Sequence, residues 1–451
     1  MSPLPALRSQ KKWSKGGTSR TIPPEKTLPK ALEVCRRIGV TRLADITNMD
    51  RLGVPNYSAV LPGTEDYIWV YSGKGATRRN AKASALMESI ERYCSLPSGN
   101  RKKRFIRGTA AELSKSYTVI HPDDIIEPLN FSYSEDMIMD YLEGTDLLTK
   151  KDVLVPVPLV LFRYSPSAPA LNPFAFHHTN GLASGNVLEE AVCHALCEVI
   201  ERDATSIAEI RARAIPFHFL KTIENNLKRG GFTFDPIPQQ KFVDDFTIFR
   251  DIELSFEFSR LFRRLASKFY QADLPLLIKD ITSDIGVPTF VASSIEWISP
   301  NYGYLAEGHG THPDARIALT RAITELSQTR AANIHGARDD LRKISFGENN
   351  TDDRRAWQFL ASKERIRFDE IRSFKNEDIL DDINLIIENL KRVGIRMAAI
   401  VDLTNPDIGI PVVRAIVPGL ETFKITKSVI GWRARKYFKE QTGEVRRHKN
   451  L

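Results

Sequence analysis

Apolar and polar residues follow two different periods along this chain, and together the periods predict both helices and strands. Residues 54–72 alternate and include Tyr57, Ile68 and Tyr71, a composition that favours strands. Apolar residues recur at helical spacing in four segments, at 28–39, 77–94, 188–214 and 313–331. Further strands are predicted at 153–164, 274–280, 288–295, 397–402 and 411–416. The mixture predicts an α+β architecture, and no repeat with a period of about 20–50 residues is visible.

Length and composition place the chain among folded globular proteins. It has 451 residues, of which 42% are hydrophobic and 27% are charged. Four cysteines in so long a chain do not indicate a disulfide framework, and the first residues lack the apolar core of a signal peptide. The longest apolar run, 153–162, is too short to span a bilayer and contains prolines. We therefore expect a cytoplasmic protein without a membrane segment.

The basic residues concentrate near the two ends and suggest how the chain is divided. The net charge is +8, which permits an anionic partner. We interpret 1–60 as a basic N-terminal arm with a helical extension, 61–430 as the main folded domain and 431–451 as a basic tail. Residues 221–273 are charged and are interpreted as a variable insertion. A nucleic-acid-binding protein is an alternative that rests on the basic ends alone, and we expect no nucleic-acid partner.

The first long helix carries a carboxylate stripe. Ser84, Glu88 and Glu91 are spaced at i, i+4 and i+7, which places them on one face. Two like charges on adjacent turns repel each other, and a divalent cation would turn that repulsion into ligation. Exposed glutamates are common, so the stripe alone is a weak indication of metal binding.

The second long helix repeats the stripe in a more apolar setting. Asn186 is a good N-cap, and Glu189 would complete a capping box. Glu190, Glu198 and Glu201 lie within about 80° of one another around the axis. Glutamates on a helix this apolar need a partner cation or hydrogen bonds. The buried cysteines of this helix, Cys193 and Cys197 beside His194, are interpreted as core residues rather than as a soft-metal site.

The third long helix places Arg321, Glu325 and Gln328 on one face, where an intrahelical salt bridge is the simplest interpretation. Pro313 fits its first turn. If the three helices converged, their carboxylates would hold magnesium and their cations would contact phosphate. The chain has no GxxxxGK[ST] sequence, so a P-loop is excluded.

Together these segments resemble the YcaO family. Its SxxxExxE pattern is met by Ser84, Glu88 and Glu91. Its Asn-x3-Glu-x7-Glu-x2-Glu-Arg pattern is met at a second set of positions, namely Asn186, Glu190, Glu198, Glu201 and Arg202. The resemblance covers roughly 60–430 and implies the YcaO fold, with mixed sheets and helices around an ATP site that has no P-loop ancestry.

The resemblance also implies roles for individual residues. Magnesium would be held by glutamates, namely Glu88, Glu91, Glu190, Glu198 and Glu201. Catalysis would depend on Glu88, Glu198, Glu201, Arg202 and Arg321. ATP would be bound by Lys15, Lys74, Ser84, Asn186, Glu190, Glu325 and Gln328. ATP and Mg²⁺ are the expected cofactors, and a homodimer is the expected oligomer.

Members of the family activate a backbone amide by phosphorylating its oxygen. Attack by external sulfide gives a thioamide, whereas attack by a neighbouring side chain gives an azoline. The sequence around 179–209 resembles the methanogen-type group, which thioamidates a glycine in the alpha subunit of methyl-coenzyme M reductase and works with a TfuA partner and a sulfide source. No proline follows Pro418, whereas azoline-forming relatives end in a proline-rich tail. An azoline-forming cyclodehydratase and a metal-dependent hydrolase remain the alternatives.

Overall fold

The computed structural model describes most of the chain, and the residues that it describes form three sheets. The described residues are 4–13, 18–100, 103–126, 132–174, 178–212, 224–225, 227–231, 249–254, 260–299, 302–337, 357–362, 364–422 and 430–436. Within them, no helix combines the length and the apolar character that a membrane crossing requires.

The first sheet has three antiparallel strands in the order β1-β2-β3, which are Arg42–Asp45, Asn56–Val60 and Val70–Lys74. The second has the order β11-β10-β9-β8-β12, which are Tyr302–Thr311, Thr289–Ser299, Leu277–Asp280, Asp251–Glu253 and Arg365–Arg367. The third has the order β4-β5-β13-β14-β7, which are Ile106–Gly108, Met139–Asp146, Ala399–Asp402, Val412–Ile416 and Leu182–Ser184; β6, Lys151–Pro156, pairs with β5. Strands β8 and β12 run parallel, so the sheets are mixed.

Helices cover these sheets. In chain order they are α1 Pro24–Ile38, α2 Arg78–Ser95, α3 Ala110–Leu113, α4 Val157–Val160, α5 Leu188–Ala212, α6 Arg260–Gln271, α7 Ala315–His335 and α8 Ile379–Arg392. One buried core lies between α5, α8 and the third sheet, and a second lies between α1, α2 and the same sheet. A third core joins α6 and α7 to the second sheet.

Three strand–helix units form a closed ring, and this arrangement positions the site. The units are β3–α2, β7–α5 and β11–α7. Each helix packs on its own strand and also on the strand of the next unit, α2 on β7, α5 on β11 and α7 on β3. Glycines at the strand ends allow this approach, since a Cβ at Gly73 or Gly310 would overlap the backbone of the following helix.

Most of the predicted elements are confirmed, with small shifts at their ends. Helix α1 begins at Pro24, earlier than predicted, and ends at Ile38; the next residue, Gly39, has a left-handed φ of 103°, as a helix-terminating glycine should. Helix α5 is described as far as Ala212. Of the predicted insertion at 221–273, much lies outside the described residues, and α6 is its best-described element.

Two predictions for segments that contain proline are wrong. The segment 153–164 is not one strand, because β6 ends at Pro156 and the chain turns into the short helix α4, where Pro158 occupies a first-turn position that needs no N–H donor. Pro313 is not in the first turn of α7. Asp314 is the N-cap of that helix, and its side chain accepts a hydrogen bond from the backbone N–H of Arg316.

Residues 4–13 contact the third sheet and the start of α8. Leu4 and Leu7 pack against the core between α5 and α8. The backbone N–H of Gln10 donates to Asp378 Oδ1 at 2.9 Å, and Lys12 contacts Asp382 of α8. These contacts lead the chain towards residues 18–24, which reach the centre of the ring.

Candidate active site

A cavity of about 550 Å³ lies at the centre of the ring, between α2, α5 and α7. It brings together residues that the sequence predicted as one site although they are far apart along the chain. The predicted residues in its lining are Lys74, Ser84, Glu88, Glu91, Asn186, Glu198, Glu201, Arg202, Arg321, Glu325 and Gln328. Lys15 lies outside the described residues.

Helix α2 supplies Glu88 and Glu91 from adjacent turns. Glu91 is 7% exposed, and the backbone N–H of Ser184 at the end of β7 donates to its Oε2 at 2.9 Å. Burial raises the pKa of Glu91 well above its usual range, and the negative charges of Glu88 and Glu198 raise it further. The Glu91 carboxylate therefore lies in an environment that disfavours its ionised form.

Helix α5 supplies the facing pair. Burial raises the pKa of Glu198 to about 8; Arg202 opposes this rise and the charge of Glu201 adds to it. The pKa of Glu201 is also raised, first by burial and then by the charge of Glu325. Burial and neighbouring negative charge therefore disfavour the ionised forms of Glu91, Glu198 and Glu201, and a bound cation would favour them.

This donor set fits magnesium ions bound together with phosphate. Among the described residues, no three carboxylates of the cavity lining bring oxygens within 4.8 Å of one another, so these carboxylates alone do not form a complete metal site. Mg²⁺ normally binds through one or two carboxylates, several waters and the phosphates of a nucleotide. Carboxylate pairs on α2 and α5, facing one cavity, match that requirement.

On the third side of the cavity, which α7 forms, the glutamate is paired with a cation. Lys74 at the end of β3 contacts the Glu325 carboxylate of α7, and the backbone N–H of His309 donates to Glu325 Oε1 at 3.2 Å. Although burial works to raise it, the pKa of Glu325 is held well below its usual range by Lys74 and His309. Gln328 donates its side-chain amide to the carbonyl oxygen of Ser72. The carboxylate of α7 is thus already neutralised.

Asn186 and Glu190 form a tight group beside the cavity. The backbone N–H and the side-chain amide of Asn186 both donate to Glu190 Oε2 at 2.9 Å. Arg20 pairs with the same oxygen at 3.3 Å, and the backbone N–H of Thr21 donates to Oε1 at 2.6 Å. Burial opposes ionisation of Glu190, but Arg20 and these hydrogen bonds outweigh it and lower the pKa. Glu190 lies behind the cavity lining, and its part in holding magnesium stays a prediction.

The predicted capping box at the start of α5 is wrong. Glu190, rather than Glu189, accepts the hydrogen bond from the backbone N–H of Asn186. Glu189 instead accepts a hydrogen bond of 2.7 Å from the backbone N–H of Arg8, which belongs to the N-terminal arm. A tertiary contact therefore occupies the side chain that local spacing had assigned to capping.

The cavity also contains residues that the sequence did not single out as site residues: Arg20, Arg92, His194 and His309. Arg92 directly follows Glu91, as Arg202 follows Glu201, and this parallel was visible in the sequence. Arg92 is buried, donates to Asp66 from both Nε and Nη2, and lies over the ring of Phe162.

A separate buried group combines metal-type ligands, but its hydrogen bonds argue against a metal. Cys193, His312 and Asp382 bring ligand atoms within 4.8 Å of one another. The backbone N–H of Asp314 donates to His312 Nδ1 at 2.9 Å, so in the neutral ring Nε2 carries the proton and has no free lone pair. Lys12 already pairs with Asp382. We interpret the group as an anchor for the N-terminal arm. The four cysteines are free and buried.

Comparison with known proteins assigns the family. The family model described as "YcaO cyclodehydratase, ATP- and Mg2+-binding" matches residues 72–421. A protein of Methanothermobacter thermautotrophicus is 33% identical over 92% of this chain and 98% of its own length. A protein encoded in the tfuA 3′ region of Rhizobium leguminosarum bv. trifolii is 28% identical over 93% of each chain.

Solved structures confirm the fold. YcaO from Methanopyrus kandleri, bound with AMPPCP and Mg²⁺, superposes with a TM-score of 0.67 at 23% identity and covers 94% of this chain and 98% of its own. A heterocyclase in complex with substrate and cofactor has a TM-score of 0.69 at 23% identity; 94% of this chain is covered, and 55% of the heterocyclase. The family model covers most of the chain, and the methanobacterial relative matches it nearly end to end. The chain therefore belongs to the YcaO family of ATP- and Mg²⁺-dependent peptide-modifying enzymes.

Proposed function

We propose that this protein is an ATP-dependent thioamide synthetase that replaces the oxygen of a backbone amide with sulfur. The proposed substrate is a glycine in the alpha subunit of methyl-coenzyme M reductase. The observation that carries the ATP-dependent step is the cavity at the centre of the ring, in which two buried glutamate pairs share the lining with Lys74 and Arg321. The sulfur chemistry is supported by the methanogen relative and by the relative encoded beside tfuA.

The reaction balances without any oxidant or reductant. Hydrosulfide adds to the amide carbon, and the amide oxygen accepts the γ-phosphoryl group of ATP. The C–O bond then breaks as phosphate leaves with that oxygen, and loss of the sulfur-bound proton completes the C=S bond. ADP and phosphate are the co-products. A neutral amide is a poor electrophile, so the enzyme must position the reactants and stabilise charge on phosphoryl oxygens.

The residues of the cavity divide these tasks. Glu88 and Glu91 on one side, with Glu198 and Glu201 on the other, would hold Mg²⁺, which neutralises phosphate charge when bound. Arg202 and Arg321 line the same cavity and would contact phosphoryl oxygens. Lys74 keeps Glu325 ionised and would move between that carboxylate and the triphosphate.

An azoline-forming cyclodehydratase is the second candidate, because the matching family model carries that description. It would use the same ATP site with a side-chain nucleophile from the substrate. The two candidates therefore differ in their need for sulfide and not in their nucleotide chemistry. For the thioamide enzyme we also expect a homodimer that works with a TfuA-like partner, which supplies sulfur.

Mass spectrometry of a glycine-containing substrate peptide separates the candidates. The peptide is incubated with the enzyme, Mg-ATP and sulfide, with and without a TfuA-like protein. A mass gain equal to the exchange of one oxygen for one sulfur, dependent on both ATP and sulfide, is expected. Loss of one water from a Cys- or Ser-containing peptide without sulfide would assign the cyclodehydratase instead. Glu198→Gln is the control that should abolish either product.

A further inference from the structure

Two exposed aromatic side chains lie on the surface next to the cavity. Tyr67 is 46% exposed and Trp69 is 44% exposed, and they flank Ile68, which lines the cavity. Tyr71, in β3, lines the cavity as well. Single exposed apolar residues are normal on a protein surface, whereas neighbouring ones beside a cavity indicate a binding surface. We call Tyr67 and Trp69 the aromatic rim.

The backbone of the aromatic rim is held from below by Asp66, which is buried. The Asp66 carboxylate accepts a hydrogen bond from the backbone N–H of Ile68 and another from the hydroxyl of Tyr71, both at 3.0 Å. It also accepts two hydrogen bonds from Arg92, at 2.9 Å from Nε and at 2.7 Å from Nη2. Because the segment is fixed before any ligand arrives, binding there would cost little ordering entropy.

Arg163 adds a cation to the aromatic rim. Its guanidinium is 5.6 Å from the centroid of the Tyr67 ring, and the same ring packs on Phe162 with a centroid distance of 5.9 Å. Arg163 is exposed and has a left-handed φ of 62°, which is unfavourable for a residue with a Cβ. Strained residues of this kind cluster where the strain positions a functional group. The strain therefore points to a role for the Arg163 side chain in binding.

Arg92 connects the aromatic rim to the side of the cavity where magnesium would bind. It follows Glu91 on α2, it lines the cavity, and its guanidinium lies 4.6 Å from the centroid of the Phe162 ring. A polypeptide that is modified at a backbone amide must bring that amide to the phosphates, while the rest of the polypeptide stays outside the cavity. The residues that flank the modified amide would then lie on the surface next to Glu91 and Arg92, which includes the aromatic rim.

We propose that Tyr67, Trp69 and Arg163 form a docking surface for the substrate polypeptide beside the residue that is modified. An apolar side chain of the substrate would pack on the two rings, and the Arg163 guanidinium would donate to a backbone carbonyl oxygen. The inference rests on the proposed function only in that the substrate is a polypeptide, and it holds for a thioamide or an azoline product. A second copy of this chain is the competing occupant of the surface.

Fluorescence anisotropy with a labelled peptide tests the docking surface. The peptide contains the target glycine of the methyl-coenzyme M reductase alpha subunit, and the enzyme is saturated with Mg²⁺ and a non-hydrolysable ATP analogue. Trp69→Ala and Tyr67→Ala should each weaken the Kd of the peptide about ten-fold, without changing the Kd of the nucleotide in calorimetry. Trp69→Phe should recover part of the loss. Tyr270→Ala is the matched control, because it removes a ring that is 87% exposed on a different element, α6.

Arg163→Gly tests the cation separately. Glycine adopts a left-handed φ freely, so this variant loses the guanidinium without straining the backbone. Its Kd for the peptide should weaken about three-fold. Because both rings remain in place, this variant also decides the question if Trp69→Ala does not fold. Serine in place of the residues that flank the glycine should weaken binding to the wild type and barely change binding to Trp69→Ala.

The outcomes separate this inference from the proposed function. Equal Kd values of the peptide for the wild type and for the folded variants at Tyr67, Trp69 and Arg163 would overturn the inference. A wild type that does not bind the peptide would overturn it together with the proposed substrate. A changed oligomeric mass of Trp69→Ala in analytical ultracentrifugation, with an unchanged Kd of the peptide, would assign the surface to a second copy.

The product analysis completes the separation. Thioamide formation by Trp69→Ala with the KM of the wild type for the peptide would reject the docking surface and leave the proposed function intact. Binding that depends on Trp69, of a peptide that receives no sulfur, would sustain the inference and reject only the proposed sulfur chemistry.

Discussion

Glu198 should destabilise the protein when nucleotide and metal are absent, and replacing it with glutamine should stabilise the fold. Burial raises the pKa of this carboxyl from its ordinary value of 4.5 to about 8. A carboxyl whose pKa is higher in the folded state binds its proton more tightly there than in the unfolded chain. Its favourable contribution is therefore complete below about pH 4.5 and is lost as the pH rises towards about 8.

The magnitude follows from the pKa difference. One pKa unit corresponds to about 1.4 kcal/mol. From the ordinary pKa of 4.5 to about pH 7 is about 2.5 units, so at about pH 7 the Glu198 carboxyl lowers the free energy of unfolding of the wild type by about 3 kcal/mol. Glutamine has nearly the same shape and does not ionise. We expect Glu198→Gln to be more stable than wild type by up to about 3 kcal/mol at about pH 7, and by about nothing near pH 4.5.

Urea denaturation across this pH range, followed by circular dichroism, measures the difference. Adding Mg²⁺ with an ATP analogue should stabilise the wild type and should stabilise Glu198→Gln far less, because the variant has lost a carboxylate oxygen. ATP hydrolysis should be abolished in the variant. Glu33→Gln is the control, since the Glu33 side chain is 72% exposed and its replacement should leave stability unchanged. A variant that is no more stable than wild type at about pH 8, or a difference that does not change with pH, would contradict the argument.

Two further substitutions test the charge pairs around the cavity. Lys74→Met leaves the Glu325 carboxylate without its cation. We expect the free energy of unfolding in urea to fall by about 1–3 kcal/mol, and nucleotide binding measured by calorimetry to weaken. An unchanged free energy of unfolding would mean that Glu325 is neutralised in another way. Arg92→Lys cannot reproduce the two hydrogen bonds to Asp66, so we expect a loss of about 2–4 kcal/mol. Arg79→Lys, at an exposed pair, should change stability by less than about 0.5 kcal/mol, and equal effects of the two arginine substitutions would refute the importance of burial.

The helices of the site could be predicted because their signal is local. Glu88 and Glu91 share a face for any helix in this register, and the same holds for Glu198 and Glu201. Their convergence could not be predicted from spacing, because it depends on which strand each helix packs against. The neutralisation of Glu325 likewise depends on a lysine brought from a different unit.

The errors have the same origin. Local spacing assigned Glu189 to helix capping, whereas the folded arm supplies a different partner for it. His194 was considered only together with its cysteine neighbours, as part of a soft-metal site, whereas the structure places it in the cavity lining on the same helix face as Glu198. The correspondence of the three strand–helix units is hard to detect in the sequence, because the units are widely and unequally separated and few of their residues are identical.

The cavity is polarised because its three strand–helix units correspond in position but differ in charge. A ring of identical units would place the same charge on every side and could not orient an asymmetric ligand. Two differences break that symmetry. The fourteenth residue is Gln328 in α7, whereas it is Glu91 in α2 and Glu201 in α5, and Lys74 neutralises Glu325. The glutamate pairs available to a cation therefore lie on α2 and α5, while Arg321 and Arg20 line the same cavity. A magnesium–triphosphate complex would then have one favourable orientation, with its cations towards the glutamate pairs and its phosphate oxygens towards the arginines.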